Sequence, residues 1–400
     1  MSPDSFLHHI RQKAAQYLPF ITDVRRHLHR FPELSFEEKE TAAYLSKVLT
    51  EAKIPFTTGW AGHGIVAEIH GKGNTWIALR GDMDALPIQE QSDKPYCSAR
   101  DGIMHACGHD VHTACLLGAA LILNSLREDL PVNVRLLFQP GEEKLPGGAS
   151  VMIHQGVLTN PAPAAILAQH VYPSLDAGKV GIRPGLYMAS TDEIYIQIKG
   201  KGGHGAMPHE CNDVILAASQ AVVALQQVAS RLAPPAVPTV LSVGKFQSDG
   251  GATNVLPERV FMEGTFRTMD ETWRRQAHLL IEQVVADTCH AYRCTSETTI
   301  VSGYPCLSND AALTAQVRLA MHDYLGTENV VDLPLRMTGE DFAFYGQHIP
   351  ACFYRLGTGN PAKGITSPVH TPTFDIDEAA LETGMGLMAW LALARSVHRR

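Results

Sequence analysis

In Trp76-Ile77-Ala78-Leu79-Arg80-Gly81-Asp82-Met83-Asp84, four consecutive apolar residues run directly into an acidic loop. A short apolar run of this kind, bounded by polar residues and glycine, predicts a buried strand with its polar cargo at the carboxyl end. The same grammar returns twice. Val132 to Phe138 predicts a strand ending at Gln139-Pro140-Gly141-Glu142-Glu143, and Ala164 to Ala168 one ending at Gln169-His170. Asp110 to Leu126 between them predicts a helix. Strands alternating with helices argue for an α/β domain with a largely parallel sheet. Ligands of such sheets collect at the carboxyl ends of the strands.

Working outward, the N-terminal side carries an apolar-periodic helix from Phe6 to Phe31. A second helix is opened by Ser35 with Glu38 three residues on, the spacing of a capping box. On the C-terminal side the texture changes between Pro184 and Thr299. Glu193 to Lys199 alternates, with Ile194, Ile196 and Ile198 on one face. A helix from Asp213 to Leu232, strands near Thr239 to Phe246 and Arg259 to Arg267, and a helix from Glu271 to Ala291 follow. That β-α-β-β-α order suits a small ferredoxin-like insert. Four hundred residues exceed one ordinary core. The expected division is 1–184, an insert 185–298, and a return to the first domain over 299–400.

Bulk composition excludes several classes. With 41 acidic against 33 basic residues the formal charge is −8, and no basic run stands out, so nucleic acid is not an expected partner. The apolar windows Ala114 to Leu123 and Met385 to Ala394 are about half the ~20 residues a spanning helix needs, so no membrane is expected. Met1 to Phe6 has no signal-peptide pattern, and the eight cysteines form no repeating framework. Together these predict a cytoplasmic chain with reduced thiols.

Nineteen histidines are many for such a chain, and several stand beside cysteine, glutamate or glycine. Cys107 and His109, within Met104-His105-Ala106-Cys107-Gly108-His109-Asp110, join Glu143, His170 and His370 as candidate metal ligands. This mixture of thiolate, imidazole and carboxylate suits borderline-soft divalent ions. A Cys-x-His pair on an extended segment would point both side chains the same way. Glu142 and Glu143 repel each other, and a buried site tolerates both only with cations nearby. With one of them a ligand, the other can take a proton from water acidified by the metal.

The segments Gly81 to Pro87, His105 to Asp110, Gly141-Glu142-Glu143 and Gly202 to His209 resemble the aminoacylase/carboxypeptidase superfamily of co-catalytic metallohydrolases. They are most similar to its amidohydrolase branch of hippurate hydrolases, N-acyl amino acid amidohydrolases and auxin-conjugate hydrolases. The similarity runs from about Arg25 to His370 in unbroken motif order. It implies a discontinuous, zinc-exopeptidase-like α/β catalytic domain with an inserted ferredoxin-like α+β lid and dimerisation domain. It implies hydrolysis of small N-acyl amino acids in a homodimer or higher homo-oligomer. Two divalent ions (Zn, Mn, Ni or Co) would be held by Cys107, His109, Glu143, His170 and His370, with Cys107 bridging. Glu142 takes the general base and acid role, and Asp84 orients a ligand from behind. Carboxypeptidase-like relatives carry a ligating histidine where this chain has Asp82. In Lys199 to His209, His204 would donate to the developing oxyanion. Asn254, Arg267 and His209 would meet the substrate, Arg267 suiting its carboxylate.

Rival patterns fail on particulars. Gly200 to Gly205 satisfies G-x-G-x-x-G, but no Asp or Glu occurs from Val214 through Ser248, where a dinucleotide site needs one. There is no G-x-S-x-G, H-E-x-x-H or Walker loop. The remaining alternatives are a dipeptidase or carboxypeptidase of the same superfamily, and a catalytically silent binding homologue.

Overall fold

Helix α1 (Pro3–Arg30) starts at Ser2, whose hydroxyl accepts the Ser5 N–H at 3.2 Å, with Pro3 at the first helical position where its missing N–H costs nothing. Helix α2 (Lys39–Glu51) does not begin with the expected capping box. Its first-turn groups without an intrahelical acceptor, the N–H of Glu40 and of Thr41, donate instead to the Glu33 carboxylate at 3.0 and 2.8 Å. Ser35 and Glu38 are thereby released from capping. Helix α3 (His109–Ser125) is buried around almost its whole circumference, as an apolar helix without a polar face must be. It packs on α1 and on the Ala380–Leu391 helix. The approach is close: a Cβ on Gly118 would lie 2.7 Å from Met385 Sδ, and one on Gly384 2.6 Å from Cys115 Sγ.

This computed structural model describes residues 1–393; residues 394–400 of the expected last segment lie outside them. The chain divides into two units. The first comprises Met1–Tyr187, Ser308–Pro334 and Asp341–Arg400, the second Met188–Leu307 and Leu335–Glu340.

The first unit is built on an eight-stranded mixed sheet. Its strands are β1 (Phe56–Trp60), β2 (Gly64–Ile69), β3 (Trp76–Asp82), β4 (Asn133–Gln139), β5 (Ile166–Asp176), β6 (Val180–Ile182), Val330–Asp332 and Ala351–Gly359. The spatial order is β1-β2-β4-β3-β5, then Ala351–Gly359, β6 and Val330–Asp332. The centre, β4-β3-β5 and Ala351–Gly359, is parallel throughout, while β1 and β2 join antiparallel at one side. Central strands β3 and β4 are buried at every position, which is why they read as continuous apolar runs. Two boundaries differ from expectation. β3 carries Arg80, Gly81 and Asp82 within the strand, and β5 runs on through His170, paired with Arg355. A backbone between two partners keeps its ladder whatever its side chains, provided these find polar partners of their own.

The second unit holds a four-stranded antiparallel sheet, ordered Thr239–Ser248, Arg259–Thr268, Asp192–Lys199, Thr295–Ser302. Helices Val214–Gln227 and Glu271–Ala291 pack on each other and on this sheet. Ile194, Ile196 and Ile198 do point into that core. The chain order is β-α-β-β-α-β. Its last strand, Thr295–Ser302, was not foreseen and runs across the expected 298/299 boundary. The polar run Thr295-Ser296-Glu297-Thr298-Thr299 hides it, because an edge strand with one wet face needs few apolar residues.

Candidate metal centre

Cys107 and His109 do not share an extended segment. Cys107 lies in a turn, Gly108 follows at φ +80°, and His109 opens α3. A left-handed residue of that kind favours glycine, and here it replaces strand alternation as the device that aims the two side chains. From β5 comes His170, its Nε2 3.4 Å from Cys107 Sγ. From the turn after β4 comes Glu143. His370, itself at φ +62°, brings its Nε2 to 3.3 Å from Cys107 Sγ and 3.3 Å from Glu143 Oε1.

The donor atoms fall into two groups that share one residue. Cys107, His109 and His170 form one, and Cys107, Glu143 and His370 the other, all atoms within a group lying within 4.8 Å of each other. Glu142 adjoins both through His109 and Glu143. It is 7% exposed, and its Oε1 accepts the Asp341 N–H at 3.4 Å.

The surrounding hydrogen bonds set which atoms face inward. His109 Nδ1 donates to Asp84 at 3.1 Å and His170 Nδ1 to the Val171 carbonyl at 2.8 Å, so each presents Nε2 to the centre. Glu143 Oε1 is buried with its nearest cationic group, His370 Nε2, at 3.3 Å, and His109 Nε2 is buried and has no hydrogen-bond partner. Buried polar atoms are rarely left so. With a thiol, three imidazoles and a carboxylate converging, the residues fit divalent metal.

The electrostatics agree. Burial, reinforced by Arg355, holds His170 well below the usual imidazole range, the neutral form a metal ligand requires. Burial would raise the Asp84 carboxyl, but hydrogen bonds from His109, the Glu143 backbone and Ser35 hold it below its ordinary value. Hydrogen bonds to Cys107 and Glu143 take the metal-free His370 up to about 10.

Among the other groups of donors, Asp82, His109 and His112 lie equally close but form a hydrogen-bonded chain. His112 Nδ1 donates to Asp82 at 2.5 Å while its Nε2 accepts the Val171 N–H at 2.8 Å. Both ring nitrogens are therefore engaged, and burial holds the imidazole below its ordinary value against the pull of Asp82. The other Asp82 oxygen takes Arg80 Nη1 at 2.5 Å. Arg80 also reaches Gln139 and Asp341, and Gln139 bonds Asp341 in turn. Sequence reasoning singled out Asp82 but missed Arg80, Gln139 and Asp341. The signal available was a charge inside an apolar strand, since a buried arginine needs carboxylates around it.

In the second unit, His204 and Asn254 are neighbours. Gly203–His204 pairs antiparallel with Val255–Leu256, and the Gly205 N–H donates to the Asn254 carbonyl at 2.7 Å. Both side chains are exposed, and His204 Nδ1 accepts the Ala206 N–H at 3.0 Å. Arg267 is half-buried on the Arg259–Thr268 strand with its Nη1 unpartnered. His209 is exposed in the short turn Pro208–Glu210.

Known proteins are similar to most of this chain. A chain of Bacillus subtilis named N-acetyl-L-cysteine deacetylase is 42% identical over 90% of this chain and 84% of its own. The N-acyl-L-amino acid amidohydrolase of Geobacillus stearothermophilus is 43% identical over 71% and 77%. A crystal structure from Bacillus subtilis, described as a dinuclear metal-binding peptidase of the M20 family, superposes with a TM-score of 0.82 at 35% identity, covering 95% of this chain and 98% of that one. The model of peptidase family M20/M25/M40 matches residues 78–394. With a buried cysteine shared between two donor groups and this match across most of its length, the chain belongs to the M20/M25/M40 peptidase family.

Proposed function

We propose that this chain is a metal-dependent amidohydrolase that cleaves the amide bond of small N-acyl amino acids, releasing a carboxylic acid and a free amino acid. The observation that carries the reading is Cys107 at the junction of two donor groups, with Glu142 beside them. The names of the deacetylase and amidohydrolase relatives support the substrate class. Two divalent ions, of Zn, Mn, Ni or Co, would be held by Cys107 with His109 and His170, and by Cys107 with Glu143 and His370. Bound there, they supply Lewis acidity that polarises the amide carbonyl and acidifies water.

The chain's own residues do the rest. Glu142 accepts a proton from the attacking water and returns one to the leaving nitrogen as the C–N bond breaks. Asp84 holds His109 in the tautomer that leaves Nε2 free. His204 donates to the oxyanion, Asn254 meets the amide oxygen, Arg267 takes the substrate carboxylate, and His209 lines the same site. The second unit acts as lid and dimerisation domain of a cytoplasmic homodimer.

A panel of N-acetyl, hippuryl and free-amine dipeptide substrates, assayed with each metal after chelation, tests the reading. Turnover of the N-acyl compounds that is lost with the metal is expected, and Cys107→Ala should lower the content of both ions. A clear preference for the free-amine dipeptides would favour the peptidase reading, which the M20 structural relative brings forward. Turnover in a metal-free preparation would sink both.

A further inference from the structure

The two residues read from sequence as a helix cap are used elsewhere. The Ser35 hydroxyl donates to Asp84 Oδ2 at 2.7 Å, and the Gly141 N–H donates to Glu38 Oε1 at 2.7 Å. Between them Phe36 is held at φ +68°, a conformation an aromatic residue adopts only under constraint. Its ring lies over Gly141, where a Cβ would come within 2.5 Å of the ring carbons. The segment is anchored at its start too, since the Ala85 N–H donates to the Glu33 carbonyl at 2.8 Å and Leu34 bridges to Ala85. Glu33 does the capping that Ser35 and Glu38 do not.

One strained loop thus touches two functional turns. Through Ser35 it reaches Asp84, the partner of His109. Through Phe36 and Glu38 it reaches the residue before Glu142. Glu38 is fully buried, and its second oxygen has no hydrogen-bond partner. An acid in that setting is costly to bury, and a fold concerned only with helix stability could dispense with it. Burial and then the nearby Asp84 push its carboxyl up to about 8, so near neutrality it serves as an uncharged acceptor.

We propose that Ser35 and Glu38 are positioning residues of the hydrolytic site, Glu38 fixing the Gly141 turn that aims Glu142 and Ser35 fixing Asp84 behind His109. The kinetic consequence rests on the hydrolytic reading above, whereas the structural one does not.

Two readouts separate them. In metal-free protein, amide hydrogen exchange of the segment around Gly141 to Glu143 should rise about tenfold in Glu38→Leu, which removes the acceptor, and stay near wild type in Glu38→Gln, which keeps one. In the metal-loaded enzyme, Glu38→Leu should lower kcat about tenfold with KM and metal content nearly unchanged, and Glu38→Gln should restore most of it. Should Glu38→Leu not fold, Ser35→Ala carries the test through Asp84, with metal affinity about tenfold weaker. Wild-type exchange and wild-type kcat in Glu38→Leu, or wild-type metal affinity in a Ser35→Ala protein used in its place, would overturn the proposal. A wild-type enzyme inactive on every N-acyl substrate, with exchange still raised in Glu38→Leu, would remove the hydrolytic reading and leave the brace standing.

Discussion

Asp84 meets His109 through one carboxylate oxygen and the backbone of Glu143 through the other: His109 Nδ1 lies 3.1 Å from Oδ1, and the Glu143 N–H donates to Oδ2 at 2.8 Å. A single buried side chain therefore sets an imidazole's tautomer and the path of the chain into a candidate ligand. Asp84→Asn turns one acceptor into a donor, so either His109 or the Glu143 N–H faces another N–H group. Metal affinity should fall about 10- to 100-fold, read by titration of the metal-free protein. Unchanged affinity would remove Asp84 from this role.

The adjacent carboxylates should separate by phenotype. Glu142→Gln keeps the shape but cannot accept a proton, so metal content should stay and the rate fall by about 10²-fold or more. Glu143→Gln should weaken metal binding itself. Metal analysis beside steady-state rates decides, and the reverse pattern would exchange the two roles.

Arg80 is fully buried between Asp82 and Asp341. Arg80→Met leaves carboxylates buried without their cation, and removal of one partner from such a group costs about 3–5 kcal/mol. Urea unfolding should show that loss. A change below about 1 kcal/mol would mean that His112 and Gln139 suffice to hold the two aspartates.

Glu38 also makes a prediction about stability and pH. Its carboxyl titrates at about 8 in the folded chain, against 4.5 ordinarily. Between these values the native state holds the proton and the unfolded state does not, so the contribution of Glu38 to stability declines as pH rises across that window. Glu38→Gln abolishes this slope. The Tm difference, variant minus wild type, should grow from pH 5 to pH 8, by an amount equivalent to at most about 5 kcal/mol. A pH-independent difference would place the folded titration near the ordinary value.

Much of the centre was legible because ligand chemistry is written in residue types. Cys107, His109, Glu143, His170 and His370 are uncommon beside apolar runs, and the structure brings their donor atoms together. The strands β3 and β4 were legible as continuous apolar runs for a related reason: a strand covered on both faces has little freedom in composition.

The sequence by itself determined which residue types could bind and which segments must be buried, since both follow from local chemistry and hydrophobicity. Only the tertiary structure decided how the polar groups are shared. Ser35 and Glu38 have the spacing of a cap, yet Glu33 takes that task and they turn to Asp84 and Gly141. Asp82 sits among possible ligands, yet Arg80 and His112 occupy it. Each buried donor or acceptor must find a partner, and several partners of similar local merit exist along the chain. Which one it takes depends on atoms tens or hundreds of residues away, as with Arg80 and Asp341, whose separation in sequence is 261.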